Sequence, residues 1–404
     1  MLIKLGWKNV WRNPVRSGVV LISVALGTWA GLFFASFSNG MTIQYIQDQL
    51  STYTGHMLIE DPSFIEERHP EFYISQTAKV DSLLAQNPHV TSFVKHSQVP
   101  GLASSTSSSF GVTITGVSPE KEAKFSKLTD YLEEGDFFET QKHNPIVIGK
   151  PLARELDLKV GSKMVLNFQD LNNEITAGAF RVIGIFKSPN STWDKNNVMV
   201  HRDDLNRLLE SPEIVHEYLV RVDNFKVANQ YADSLSAALP GLEVRSWGQA
   251  NPELRYMDEM MDVTLYIFMI IIILALSLGI LNTMLMVIME RTRELGMLMA
   301  IGMQKARIFG LIVLETLFLT LVGAPFGLIL GIGTNSWFAE NGINLQAFSE
   351  GLSTYGLSTI IYPQLGADYY INITILMALA AILAALYPSY KALKLKPVQA
   401  IRKV

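Results

Sequence analysis

Four long apolar runs govern what this 404-residue chain can become. A spanning helix needs about 20 apolar residues to cross a hydrocarbon core of about 30 Å. The first run lies between Arg16 and Asp48, with its apolar heart from Val19 to Phe37. The second extends from Val263 to Met289, between Asp262 and Glu290, with no charge inside. The third follows Arg307 and reaches Trp337, interrupted only by Glu315, and the fourth runs from Tyr369 to Tyr390 and is closed by Lys391. Charged residues make up 17% of the chain, too many for a protein lying wholly in lipid, while the runs are too long for a wholly soluble one. The combination predicts an α-helical membrane protein with four transmembrane helices and a water-exposed domain large enough for its own core.

Basic residues flanking membrane spans mark the cytoplasmic side. Lys4, Lys8, Arg12 and Arg16 precede the first span without an acid. Arg291, Arg293, Lys305 and Arg307 lie between the second and third, and Lys391, Lys394, Lys396, Arg402 and Lys403 follow the fourth. Residues 340–370 hold Glu340, Glu350 and Asp368 and no Lys or Arg. Both termini are therefore expected inside. Residues 41–262, with 20 basic and 31 acidic side chains and so a net of −11, are expected outside. Reading the first run as a cleaved signal peptide would require an unusually long apolar region, a convincing small-x-small site is lacking near Ala35 to Asn39, and cleavage would discard the Lys/Arg-rich leader. The expected layout is an elbow at 1–16, spans at 17–40, 263–289, 308–338 and 371–390, and an extracytoplasmic domain at 41–262. A cytoplasmic loop at 290–307, an outer loop at 339–370 and a tail at 391–404 complete it. The location is the inner membrane, with the large domain in the periplasm.

That domain reads as mixed α/β. Strand-like runs recur at His56–Glu60, Val112–Val117, Ile146–Ile148, Lys163–Phe168, Phe180–Phe186, Val198–Val200 and Tyr218–Val222. Helical patterns fall at Thr77–Gln86, Pro151–Leu156, Arg202–Leu209 and Ala228–Ala238. The Ser- and Thr-rich stretch from Gly101 to Gly111 predicts an exposed loop. Chemistry is scarce. The chain has no cysteine, which excludes disulfides, thiolate metal sites, cysteine nucleophiles and lipid anchoring through a thioether. His216-Glu217 begins like a zinc-protease helix, but Val220 stands where the second His belongs. Gly149-Lys150 matches the end of a phosphate-binding loop, yet Asn144 replaces its first Gly and Pro151 its magnesium-binding hydroxyl. No catalytic residue and no metal site are expected, and a net charge of −4 suggests no nucleic-acid partner.

The informative residues lie at the inner face. In the first sixteen residues, Ile3, Trp7, Val10 and Trp11 share one helical face beside a stripe of Lys4, Lys8, Arg12 and Arg16. Such a helix lies flat on membrane lipid, with tryptophans at headgroup level, until Asn13-Pro14 breaks it. Between the second and third spans, Glu290 to Met303 is rich in helix formers, and Leu295, Leu298 and Met299 share a face. An apolar face of this kind, with little in one subunit to bury against, predicts a docking surface.

The sequence ERTRELGMLMAIGM, followed by a basic pair and an apolar helix containing Glu315, resembles the signature of FtsX-like ABC permeases. This group includes lipoprotein-releasing (Lol-type) and macrolide-exporter (MacB-type) membrane subunits. The resemblance covers the whole chain, including the ending YPSYKALKLKPVQAIRKV, and the layout is closer to the Lol type. It implies a coupling helix seated in a groove of an ABC ATPase dimer, with Glu290, Arg291, Arg293, Glu294, Leu295 and Gly296 at the interface and Ala300 and Gly302 supporting the bend. It also implies a second permease subunit, identical or related, and a lipoprotein substrate with a periplasmic carrier or an adaptor. No Walker A pattern occurs in the chain, so ATP and magnesium are expected in a separate partner.

Gly27 and Gly31 in the first span, and Gly323, Gly327 and Gly331 in the third, form small-residue faces that suit packing either within a subunit or between two. Glu315, eight residues past Arg307 and so roughly 12 Å along the helix, is close enough to the inner face to pair or snorkel. The second and fourth spans lack a continuous polar lining, which argues against a hydrophilic pore. Lipoprotein release, mechanical drive of a periplasmic pump or effector, and a membrane-anchored sensor without an ATPase are the three functions compatible with this layout. The coupling-type helix disfavours the third.

Overall fold

The computed structural model describes the chain except Met1, Asn13, residues 140–143, Pro212 and residues 395–404, and the side chains of Leu2, Asn9 and Arg16. The expected helix break at Asn13, the side chain of Arg16 and the Pro-Ala-Ile-Arg ending lie outside the described residues. In chain order the helices are α1 (Leu2–Arg12), α2 (Pro14–Gln49), α3 (Pro62–Glu67), α4 (Thr77–Gln86), α5 (Pro119–Phe125), α6 (Lys150–Glu155), α7 (Ser191–Asn196) and α8 (Arg202–Leu208). They continue as α9 (Ala228–Ala238), α10 (Trp247–Ala250), α11 (Pro252–Glu290), α12 (Thr292–Ala300), α13 (Lys305–Asn341), α14 (Ser349–Thr354) and α15 (Ala367–Leu393). The chain forms two compact units, one of Met1–Thr42, Glu259–Asn344 and Ile360–Val404, the other of Ile43–Asp258 and Leu345–Thr359.

Among the described residues, α2, α11, α13 and α15 are the helices long and apolar enough to cross a membrane. They run to 36, 39, 37 and 27 residues, longer than their apolar hearts. For α11 the cause is visible in the sequence: Pro252 suits the first helical position and the following Glu-Leu-Arg-Tyr-Met continues in good helix formers. Val24, Leu32, Ile280, Ile308, Met377 and Ala381 form a continuous core between these helices.

The glycine faces are used inside this unit. A Cβ at Gly327 would stand 2.5 Å from the carbonyl oxygen of Ala25, one at Gly323 2.9 Å from that of Leu21, and one at Gly331 2.7 Å from Leu32. The three glycines therefore let the backbones of α13 and α2 touch. Likewise Gly27 abuts Leu276 of α11, and Gly31 abuts Met377 of α15. Without a hydrophobic force between helices in lipid, such close backbone approach is a main source of association.

The second unit is built on ten strands: β1 (Met57–Glu60), β2 (Val90–Ser104), β3 (Ser109–Val117), β4 (Leu132–Gly135), β5 (Pro145–Gly149), β6 (Lys163–Gln169), β7 (Ile175–Phe186), β8 (Asn197–His201), β9 (Glu217–Val222) and β10 (Glu243–Ser246). Their order is β10-β1-β9-β2-β3-β8-β5-β7-β4, with β6 pairing both β2 and β7. Strands β2, β3, β8, β5, β7 and β6 thus close into a ring around Ile114, Ile148, Leu166, Phe180 and Val200. Strands β10, β1, β9 and the start of β2 form an open layer whose apolar face, with Ile59, Tyr218 and Val220, shares a core with Leu84 of α4 and Leu235 of α9.

The 15-residue β2 belongs to both layers. Its residues Val90–His96 pair with β9, and Ser97–Ser104 pair with β3. This corrects the expected loop from Gly101 to Gly111, most of which is a hairpin with Ser105–Ser108 as its turn. Serines fit there because the hairpin has one wet side: Ser109 donates to Ser104 Oγ at 2.9 Å, while Ala103 and Val112 point into the core.

Candidate functional site

The loop between α11 and α13 holds a connected chain of charges. Arg291, at the turn into α12, donates from Nη1 to both carboxylate oxygens of Glu315 at 2.9 Å each, and from Nε to Glu294 at 3.2 Å. Glu294 in turn accepts from Arg12 of α1. The chain of contacts Arg12–Glu294–Arg291–Glu315 ties α1, α12 and α13 together beside a cavity of about 280 Å³. Burial alone would lower the Arg291 pKa, but Glu315 and then Glu294 outweigh it and hold the guanidinium above its ordinary range. Glu294 is held below the usual carboxylate range, first by the Arg12 hydrogen bond and then by Arg291. The pairing explains how Glu315 is tolerated in an apolar helix.

Helix α12 ends in a Schellman motif. Gly302 has φ +98°, Gly302 N–H donates to Met299 O, and Met303 N–H donates to Leu298 O. That left-handed position suits Gly, so the bend follows directly from the sequence. The helix does not present the face expected of it. Leu295 is 2% exposed, Gly296 is buried, and Leu298, Met299 and Met303 pack on the core. The apolar side is therefore satisfied within the subunit. What faces outward is Arg293, Met297, Ala300, Ile301 and Gly302, with Ile301 85% exposed. Of the predicted interface residues, Glu290, Arg293, Ala300 and Gly302 are exposed, Glu294 is half-exposed, and Arg291, Leu295 and Gly296 are turned inward.

The leading helix is formed. Val10 is buried in the core, Trp7 meets Phe318 of α13 edge-on at 5.5 Å, and Trp11 lies edge-on to Trp7. Ile3, Trp7 and Trp11 remain largely exposed, as a lipid-facing edge would be, with Lys4, Lys8 and Arg12 also outward. Pro14 begins α2, and Ser17 Oγ donates back to Val10 O.

In the second unit the histidine fragments are structural. His216 accepts from Gln98 N–H at Nδ1 and donates to Pro70 O at Nε2, both 2.9 Å. Among the described residues no group of three or more His, Asp and Glu side chains is placed to hold a metal. Sequence reasoning missed one cluster. Fully buried His96 lies 2.8 Å from Glu122 and 3.0 Å from Glu217, and Gln98 also donates to Glu217 at 2.7 Å. Burial by itself lowers the His96 pKa, but Glu122 and then Glu217 outweigh it and raise it to about 10. These residues are 26 and 121 positions apart from His96, so no local pattern announces them.

The family profile of the MacB-like periplasmic core domain matches residues 17–238, and that of the FtsX-like permease C-terminal region matches residues 266–397. The chain is similar to the lipoprotein-releasing system transmembrane protein LolE of Haemophilus influenzae, 21% identical over 94% of this chain and 92% of that protein. It is also similar to the macrolide export ATP-binding/permease protein MacB of Bdellovibrio bacteriovorus, 23% identical over 98% of this chain and 61% of that protein. Among solved structures, the periplasmic region of MacB from Actinobacillus actinomycetemcomitans aligns with 54% of this chain and 98% of its own, at 13% identity and a TM-score of 0.35.

Proposed function

The chain belongs to the FtsX-like permeases that carry a MacB-like periplasmic core domain, and from that premise we propose that it couples ATP hydrolysis in a separate ATPase dimer to release of lipoproteins from the membrane to a periplasmic carrier. It is a multi-pass membrane protein and an ABC transporter permease subunit. The observation that supports coupling through α12 is the contact chain from that helix to Glu315 and Arg12. An ATPase seated on Arg293, Met297 and Ile301 would load α13 through a buried ion pair and α1 through an exposed one. Helices transmit such load well because their backbone hydrogen bonds are satisfied internally. ATP and magnesium bind the ATPase, not this chain, and a second permease subunit completes the pair. Lipoprotein as substrate rests on similarity to the lipoprotein-releasing protein. Similarity to the macrolide-export protein favours a second reading, in which the periplasmic domain drives an efflux assembly.

The double substitution Met297→Asp and Ile301→Asp tests the docking surface, because both side chains are exposed and their loss leaves the core intact. It should abolish co-purification of the ATPase without lowering the melting temperature. Full association and normal ATP-dependent lipoprotein transfer to a soluble carrier would refute the assignment. ATP-dependent coupling without transfer would favour the efflux reading.

A further inference from the structure

Where β2 leaves the open layer for the ring, the two layers diverge and a cavity of about 420 Å³ opens over the sheet. It crosses six consecutive strands, lined by Arg245 of β10, Leu58 of β1, Leu219 of β9, Gln98 of β2, Thr113 of β3 and Asn197 of β8. Its volume is that of an ordinary small-ligand site. One end carries the rings of Tyr53 and Trp193, whose centroids are 4.4 Å apart. Arg68 and Arg245 both line it, and both reach back to the two oxygens of fully buried Glu60.

These two arginines hold more donors than Glu60 can use. Arg68 uses only Nη1, at 3.2 Å, and its ring neighbour Phe64 fixes the guanidinium from one side. The Nε of Arg245 is buried and finds no acceptor among the described residues. A buried donor without an acceptor calls for an explanation. Of the charged side chains that line the cavity, Arg68 and Arg245 are cationic and Glu217 is anionic, with Glu60 behind the two arginines. The wall thus sets two guanidinium groups with donors to spare next to the tilted ring pair of Tyr53 and Trp193.

We propose that this cavity binds a peptide carboxylate, gripped by Arg68 and Arg245, with an apolar or aromatic neighbouring side chain lying on Tyr53 and Trp193. A guanidinium fork suits a carboxylate because it offers two parallel donors. Either a chain-terminal or an acidic side-chain carboxylate has the required chemistry. The site does not depend on which substrate the permease moves, and its test does not involve the ATPase.

The test is calorimetric titration of the full chain in lipid nanodiscs with three probes: N-acetyl-Ala-Phe with a free terminus, N-acetyl-Glu-Phe-amide and N-acetyl-Gln-Phe-amide. One or both acidic probes should bind saturably, at least about tenfold more tightly than the neutral amide, and which one does so identifies the source of the carboxylate. Arg68→Gln should weaken that binding about tenfold, and Arg68→Lys should restore part of it, since Lys keeps the charge but loses the fork. Arg68 is half-exposed, and melting curves of both variants will show that the fold is kept. No saturable binding by any probe, equal binding of the neutral amide, or acidic-probe binding unchanged in Arg68→Gln would each overturn the proposal.

Discussion

Arg291 and Glu315 meet end-on across the inner edge of the membrane unit, one guanidinium nitrogen serving both carboxylate oxygens at 2.9 Å. Their side chains are only 15% and 9% exposed, so most of each is removed from bulk solvent.

For such a pair, losing one member leaves an uncompensated buried charge, whereas replacing both with apolar groups is close to neutral. Glu315→Ala should therefore destabilise the protein by about 3–5 kcal/mol. The double variant Arg291→Met/Glu315→Leu should regain most of that stability yet lose ATP-coupled activity. Thermal unfolding in nanodiscs and ATPase assays of the assembled complex check both halves. Coupling that survives in the double variant would remove the pair from the transmission path.

The contact of α13 with α2 makes an equally direct test. Gly327→Leu forces a side chain into the Ala25 carbonyl and into Thr28 Cβ, 2.8 Å from its own Cβ, and overpacking costs typically about 1–3 kcal/mol and more against backbone. Gly333→Leu meets nothing within 4 Å and should fall within about 0.5 kcal/mol of the parent. Melting temperature and yield measured side by side settle it. If Gly333→Leu were the damaging substitution, the small-residue face would be serving something other than α2.

Stability of the periplasmic unit should depend on pH with opposite signs at two histidines. His96 has its folded pKa raised to about 10 from 6.5, so its contribution is fully present below about pH 6.5 and is lost as pH rises through 10. His216 has its pKa lowered to about 4, mainly by burial, so its contribution is present above about pH 6.5 and is lost as pH falls through 4. Denaturant midpoints across this range should decline on both sides. His96→Gln should flatten the alkaline limb and leave the acid limb in place. An alkaline limb unchanged by that substitution would show that His96 is not the group responsible.

Much of this architecture was legible in the residues. Lipid forces backbone groups to pair within each helix, so an apolar run of sufficient length has one outcome, and the Lys and Arg clusters orient it. Seven strands and four helices of the periplasmic domain follow from their periods of two and 3.6. Strand β2 escaped because Pro100, Gly101 and a run of serines look like a loop, and only its neighbours on both sides make those residues a strand. The face of α12 was misjudged for a related reason. Its pattern tells that one side is apolar, but not that the core of its own subunit already covers Leu295.

The order of residues alone determined where the membrane helices lie, which ends face the cytoplasm, and that Gly302 turns the chain, since each depends on neighbours along the backbone. Only the tertiary structure decided that Arg12 meets Glu294 across 282 positions, that three glycines pack on α2, and that His96 sits between two carboxylates. Those partnerships depend on how helices are rotated and strands are ordered against one another, and a one-dimensional period carries no information on either.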